Sequence, residues 1–341
     1  MTDEMSGERA PCTVNWHRTR IEPKVLKRLH ERSDGLGLLQ TAGYLGVLAI
    51  TGTAALVACG RAPAAVVVLL VFLHGMVSCF LINGVHELGH GTVFKTKSLN
   101  GFFVRILAFL GWINFEMFAA SHARHHRYTL HPPDDLEVVL PLRVMVRHFF
   151  LQGFVNPAAF VHAVKDTVRI ALGKLRGDWE LALFPECDPG RRRPPVNWAR
   201  TMLAGHALIL GGSIYFKLWL LPVLVSMGPF YGGWLFFLCN NTQHIGLQDN
   251  VPDFRLCCRT FTLNPVVRFL YWQMNYHTEH HMYAAVPCYR LAEMHEVIKH
   301  DLPPCPHGLV ATWREIAEIQ RRQDEEPGYQ YAAPVPKLTY L

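Results

Sequence analysis

The sequence predicts an all-α membrane protein. Four transmembrane helices in two hairpins, with interfacial helices, carry a helical cytosolic cap that holds a metal site. Three observations lead there. Half of the 341 residues are apolar and only 18% are charged, which is lean for a soluble chain of this size. Four apolar runs reach the roughly 20 residues that a helix needs to cross a bilayer. Histidine is abundant, with 19 copies, and nine of them fall in four short clusters beside those runs.

Residues 1–36 form a basic amino-terminal arm with seven Lys/Arg and no continuous apolar stretch, which does not read as a cleavable signal peptide. Within it, Trp16 to Arg32 reads either as a basic amphipathic helix on the membrane surface or as a solvated arm. Residues 37–310 form the membrane domain. Its first span runs from about Leu38 to Cys59 and its second from Pro63 to Asn83, separated only by Gly60, Arg61 and Ala62. Gly101–Phe118 is shorter and carries Arg105 and Glu116, so it reads as an interfacial or re-entrant helix. The third span covers about Leu203–Leu221 and the fourth Pro222–Cys239, meeting without a polar loop. Pro185–Pro195 reads as an exposed cytosolic loop. Residues 311–341 read as a cytosolic helix followed by a disordered tail from Asp324.

Lys and Arg set the orientation, because they are retained on the cytosolic side. The arm has 7, residues 119–200 have 12, and residues 241–341 have 9, whereas the link between the first two spans has only Arg61. The arm, the central segment and the carboxyl-terminal segment are therefore expected on one cytosolic face, which two hairpins satisfy. The net charge of +6 follows this distribution, and no nucleic-acid partner is expected. Nine scattered cysteines without a C-x-x-C pair argue against a disulfide framework, a zinc ribbon or an iron–sulfur module.

The clustered histidines are His86 and His90 in "HELGH", His122, His125 and His126 in "HARHH", His244 in "NNTQH", and His277, His280 and His281 in "HTEHH". Spacings of i, i+3 and i+4 put each box on one helical face. His86 and His244 come just past the ends of the second and fourth spans, so all nine can meet in one layer at the cytosolic membrane surface. The remaining ten, among them His17, His74, His206 and His295, read as ordinary core or surface residues. Taken alone, H-E-x-x-H in "NGVHELGHGT" is the helical zinc signature, with Glu87 as general base. Nine imidazoles exceed the needs of one ion and suit two ions with four or five ligands each. Imidazole accepts Zn, Cu, Fe or Ni. The setting favours a redox pair, since a site facing unreactive lipid C–H bonds has nothing to hydrolyse and O2 chemistry can attack it.

With these boxes in this order between these apolar runs, the chain resembles the membrane-bound fatty acid desaturase family over roughly residues 38–310. The resemblance implies a centre of two Fe ions held by His86, His90, His122, His125, His126, His244, His277, His280 and His281. It also implies a water-mediated role for Asn240, four residues before His244. Glu87, Asp134, Asp135, Glu137, Asp249 and Glu279 are candidate acceptors for the ligands' outer N–H groups. The implied reaction uses O2 as co-substrate to place a double bond in a fatty acyl lipid or acyl-CoA. A separate donor (ferredoxin, rubredoxin or cytochrome b5) supplies electrons, since no H-P-G-G motif of a fused cytochrome b5 is present. The implied location is the bacterial inner membrane or the endoplasmic reticulum, as a multi-pass protein among membrane lipids with the metal site cytosolic.

The first box departs from the acyl-CoA pattern. It is H-x3-H, a form common among acyl-lipid and sphingolipid members, and the third box begins with His277 rather than Gln. Hydroxylation or oxidative decarboxylation remains open, because both share the first hydrogen removal with desaturation. An intramembrane zinc protease on His86, Glu87 and His90 lacks its third ligand. Val93 and Thr96 stand where the extended motif needs Gly and His, and only the distant Glu116 offers itself. A non-catalytic metal-binding or sterol-sensing protein would leave a full ligand set without use.

Overall fold

The computed structural model describes residues 13–336. Among them the chain is helical, and strand-like contact is limited to isolated pairs such as His17 with Asp253 and Thr260 with Tyr276. Residues 1–12 of the expected arm and 337–341 of the expected tail lie outside the described residues.

From Trp16 to Arg32 the chain is not one long amphipathic helix, nor is it a free arm. Only α1 (Pro23–Leu29) is helical, and the residues before it are tied down. Trp16 stacks on Phe254 with ring centroids 4.1 Å apart. Thr19 Oγ1 donates to Asp301 Oδ2 at 2.7 Å. Trp16 and Thr19 find packed partners while the basic side chains of the same stretch stay exposed.

Among the described residues, two helices are long and apolar enough to cross a membrane. The first is α2 (Asp34–Ala58), started by Ser33, whose Oγ accepts from Leu36 N. At 1.5 Å per residue its 25 residues reach about 37 Å. The second span, Ala64–Gly89, consists of α3 (Ala64–Ser78) and α4 (Leu81–Gly89). Gly60, at φ +74°, turns the chain between α2 and α3. The two helices run antiparallel, with Tyr44 Oη donating to Val77 O at 2.7 Å and Thr51 Oγ1 3.0 Å from His74 Nδ1. Leu39, Ile50 and Val68 point outward and are mostly exposed, the expected face toward lipid.

Next come α5 (Lys97–Leu110) and α6 (Phe115–Tyr128), bent by 108° at the intervening four residues. This bend is the structural form of the run read as interfacial or re-entrant. After α7 (Val146–Gly153), α8 (Pro157–Ala171) and α9 (Gly177–Leu183), α10 spans Pro189–Tyr215. Pro189, expected in an exposed loop, opens that helix instead. Asp188 caps it by accepting from Arg191 N, and proline suits a first turn whose N–H is unpaired anyway.

The third and fourth apolar runs do not form continuous apolar helices of spanning length. The third is the end of α10, whose first half carries Arg191, Arg192, Arg193 and Arg200. The fourth is cut into α11 (Leu220–Val225), a 3-10 turn at Gly228–Phe230, and α12 (Trp234–Asn240). Gly228, Pro229, Gly232 and Gly233 cut it there. Gly232 sits at φ +70°, and a Cβ on it would meet Phe72 O at 2.4 Å, so the break also lets the chain press against α3.

The remaining helices are α13 (Phe254–Cys257), α14 (Pro265–Leu270), α15 (His277–Met282), α16 (Leu291–Ile298) and α17 (Gly308–Glu325). The main core joins the ends of α2–α4 to this carboxyl-terminal part through Tyr44, Phe80, Leu88, Phe254, Trp272 and Leu291. The stretch from Asp324 to Tyr331, expected as the start of a disordered tail, makes specific contacts with the rest of the chain. Helix α17 continues to Glu325, Tyr331 N then donates to Gly246 O at 2.8 Å, and Gln330 Nε2 donates to Asp249 Oδ1 at 2.8 Å.

Candidate metal centre

Four short segments bring the nine clustered histidines together. Helix α4 carries His86, and His90 caps its end. Helix α6 carries His122, His125 and His126 on one face, helix α15 carries His277, His280 and His281, and His244 lies in the turn after α12. Close approach to α4 depends on Gly84. A Cβ there would fall 2.2 Å from Leu107 Cδ2 and 2.7 Å from Trp272 Cζ2.

The ring nitrogens sort into two groups, each with donor atoms within 4.8 Å of one another. One comprises His86, His90, His122, His126 and His280. The other comprises His244, His277, His281 and, unforeseen, Cys258. His125 borders the second group, its ring centroid 5.3 Å from His244 and 5.0 Å from His281. The groups adjoin where His126 stacks on His281 at 4.3 Å.

Outer contacts orient the rings. The Nδ1–H of His86 donates to Glu87 Oε1 at 2.9 Å, that of His122 to Glu137 Oε1 at 2.8 Å, and that of His125 to Asp135 Oδ2 at 2.7 Å. His244 Nδ1 donates to Cys257 O at 2.7 Å. Thr129 spends its own hydrogen on His125 O, so its Oγ1 accepts from His281 Nδ1 at 3.2 Å. Each contact places the proton on Nδ1 and turns a bare Nε2 lone pair inward.

Inside, the Nε2 atoms converge on one another. His122 and His126 Nε2 atoms lie 2.9 Å apart, His126 and His280 3.1 Å, His244 and His277 3.0 Å, and His277 and His281 3.2 Å. The Nε2 atoms of His86 and His90 are buried with no hydrogen-bond partner. Buried polar atoms without partners cost free energy, and converging lone pairs repel. Cations between them remove both penalties, so the residues fit two metal ions. Burial, followed by the neighbouring imidazoles, holds His277, His280 and His281 well below the ordinary histidine pKa. Burial and His125 take His244 to about 3. These rings stay neutral, the form a metal requires.

Not every expected acceptor sits at a box. Asp134 faces Arg124 at 3.7 Å, and Asp249 is held by Gln330. Glu279 is buried but turns away from the box it belongs to. It accepts from Thr260 Oγ1 and lies 2.5 Å from Nδ1 of His295. Helical spacing explains this, because a residue between i and i+3 projects from another face. Asn240 ends α12, half-buried, one turn before His244. Sequence reading missed Cys258, the Cys257 carbonyl, Thr129 and the Glu279 partner His295. No motif flags a carbonyl, a hydroxyl or a vicinal cysteine pair.

Two comparisons bear on identity. The family model for fatty acid desaturases matches residues 62–313. A relative from Oryza sativa subsp. japonica, described as "Sphingolipid delta(4)-desaturase DES1-like", is 24% identical over 222 residues, covering 64% of this chain and 59% of the relative. The match thus spans less than two thirds of that relative's length. The matched family segment includes all nine clustered histidines, and the chain belongs to the membrane fatty acid desaturase family.

Proposed function

We propose that this chain is an O2-dependent di-iron oxidoreductase that introduces a double bond into a fatty acyl chain. The observation that carries the reading is the pair of adjoining buried imidazole groups with their ring nitrogens converging. His86, His90, His122, His126 and His280 hold one iron, and His125, His244, His277 and His281 hold the other, with Asn240 as a water-mediated partner. When bound, the iron pair supplies activation of O2 and removal of hydrogen from an unreactive methylene, with two electrons drawn from a separate ferredoxin, rubredoxin or cytochrome b5. The chain's own part is positional. Glu87, Glu137 and Asp135 hold three rings in one tautomer, and the core around Tyr44 and Trp272 keeps water from the site.

The substrate we favour is a membrane acyl lipid of the sphingolipid type rather than acyl-CoA. The H-x3-H first box and the description of the Oryza sativa relative as a sphingolipid desaturase support that choice. We further propose that α2, the α3–α4 span, α10 and the broken α11–α12 segment make four crossings in two hairpins. The site then lies at the cytosolic surface of the inner membrane or the endoplasmic reticulum.

The test is expression with a competent electron donor in a host of defined lipid composition, followed by mass spectrometry of fatty acids and sphingoid bases. A new cis-unsaturated product and about two iron per chain are expected. A hydroxylated or shortened product would assign the alternative reaction. One zinc with no iron would overturn the reading.

A further inference from the structure

The second histidine group contains a donor that the histidine boxes do not supply. Cys258 Sγ and one ring nitrogen each of His244, His277 and His281 all lie within 4.8 Å of one another. All four residues are buried, each at 5% exposure or less. Cys258 is held in place by its backbone. Its N–H donates to Phe254 O at 2.9 Å as the cap of α13. The carbonyl just before it, Cys257 O, accepts from His244 Nδ1 at 2.7 Å. The thiol and the His244 ring are therefore anchored by one stretch of chain. The nearest alternative partner of the sulfur is weak, Cys257 Sγ at 3.9 Å.

Coordination distances set the requirement. An ion about 2.1 Å from imidazole nitrogen and about 2.3 Å from thiolate sulfur sets its N and S donors no more than about 4.4 Å apart. All four donors fall within 4.8 Å of one another, so the sulfur has at most a few tenths of an ångström to close to reach that span. Three buried imidazole nitrogens converging at 3.0 and 3.2 Å mark the same spot as a cation position.

We propose that Cys258 is a sulfur donor to the metal ion held by His244, His277 and His281, an inference that rests on the two-metal reading above. The S–H bond breaks as the S–metal bond forms, and the proton leaves to solvent. Cys258 also lines a cavity of about 70 Å³ with Thr260, Thr278 and His295, which is room for several waters along that path. The two ions are then inequivalent. One faces only neutral imidazoles, while the other carries a thiolate that cancels one positive charge and favours its higher oxidation state.

The experiment uses the full chain in detergent, loaded with Fe(II) or Co(II). X-ray absorption at the iron edge of the unaltered protein is expected to show a sulfur scatterer at about 2.3 Å beside the nitrogen shell. The Co(II) form is expected to show a sulfur-to-metal charge-transfer band in the near ultraviolet. Cys258→Ser should lose that band while keeping two cobalt per chain, and Cys257→Ser should keep both. A shell of nitrogen and oxygen only, in protein carrying two metals, overturns the sulfur ligand and leaves the two-metal reading standing. So does a band unchanged by Cys258→Ser. Protein that binds no metal overturns both. If Cys258→Ser fails to fold, the absorption spectrum of the unaltered chain still decides.

Discussion

His125 Nδ1 lies 2.7 Å from Asp135 Oδ2, and the Asp135 carboxylate has no solvent exposure. Asp135 is itself held by Leu130 N at 2.8 Å and Glu137 N at 2.9 Å. Burial disfavours its ionised form, but the His125 hydrogen bond and charge and these backbone N–H groups outweigh burial and keep it below the usual carboxylate range. A fixed carboxylate of this kind orients the ring and raises its basicity as a ligand. Asp135→Asn is expected to weaken metal retention by roughly 10–100-fold. Competition against a chelator measures it, and unchanged retention would separate Asp135 from the metal centre.

Glu87 spans two ligands, 2.9 Å from His86 Nδ1 and 3.6 Å from His280 Nδ1. Glu87→Gln keeps an oxygen that accepts from His86 but removes the charge. Activity is expected to fall while both metals are retained. Complete loss of iron in this variant would instead mark Glu87 as a ligand.

Gly84 is where α5 and Trp272 close on the helix that carries His86. Gly84→Ala puts a methyl 2.2 Å from Leu107 Cδ2. Overpacking of this kind costs about 1–3 kcal/mol, and it displaces His86 as well. A lowered melting temperature together with lowered metal content is expected. A variant matching the parent in both would show that the contact yields freely.

Without metal, stability should fall with acid. His244, His277, His280 and His281 have folded-state pKa values below the ordinary value of 6.5. The unfolded chain binds their protons first, so this stability is fully present above pH 6.5 and is lost as pH falls toward the folded values. By pH 5 each such histidine costs on the order of 1–2 kcal/mol. Melting of metal-free protein between pH 7.5 and 5 tests this, and a flat profile would contradict the burial of these rings.

Much of the centre was legible because its chemistry is local. An i, i+3, i+4 histidine box occupies one face of any helix, so α6 and α15 present their rings together whatever surrounds them. The carboxylates were harder to assign. Asp135 and Asp134 are neighbours in sequence, yet only Asp135 meets an imidazole, because the turn after α6 aims one inward and the other at Arg124. The break in the fourth apolar run was hidden for a related reason. Hydropathy counts side chains, whereas Gly228, Pro229, Gly232 and Gly233 act through the backbone.

The sequence by itself determined the helical class, the first two spans and the histidines that gather, since each follows from spacing and hydropathy along a single segment. Only the tertiary structure decided which rings share an ion, which carboxylates hold them, and that Cys258 joins the second group. The contact of His126 with His280 links segments more than a hundred residues apart, whereas Asp135 and Cys258 sit close in sequence to His125 and His244 and are aimed at them by the intervening loops; the buried layer exists only once α4, α6 and α15 pack together.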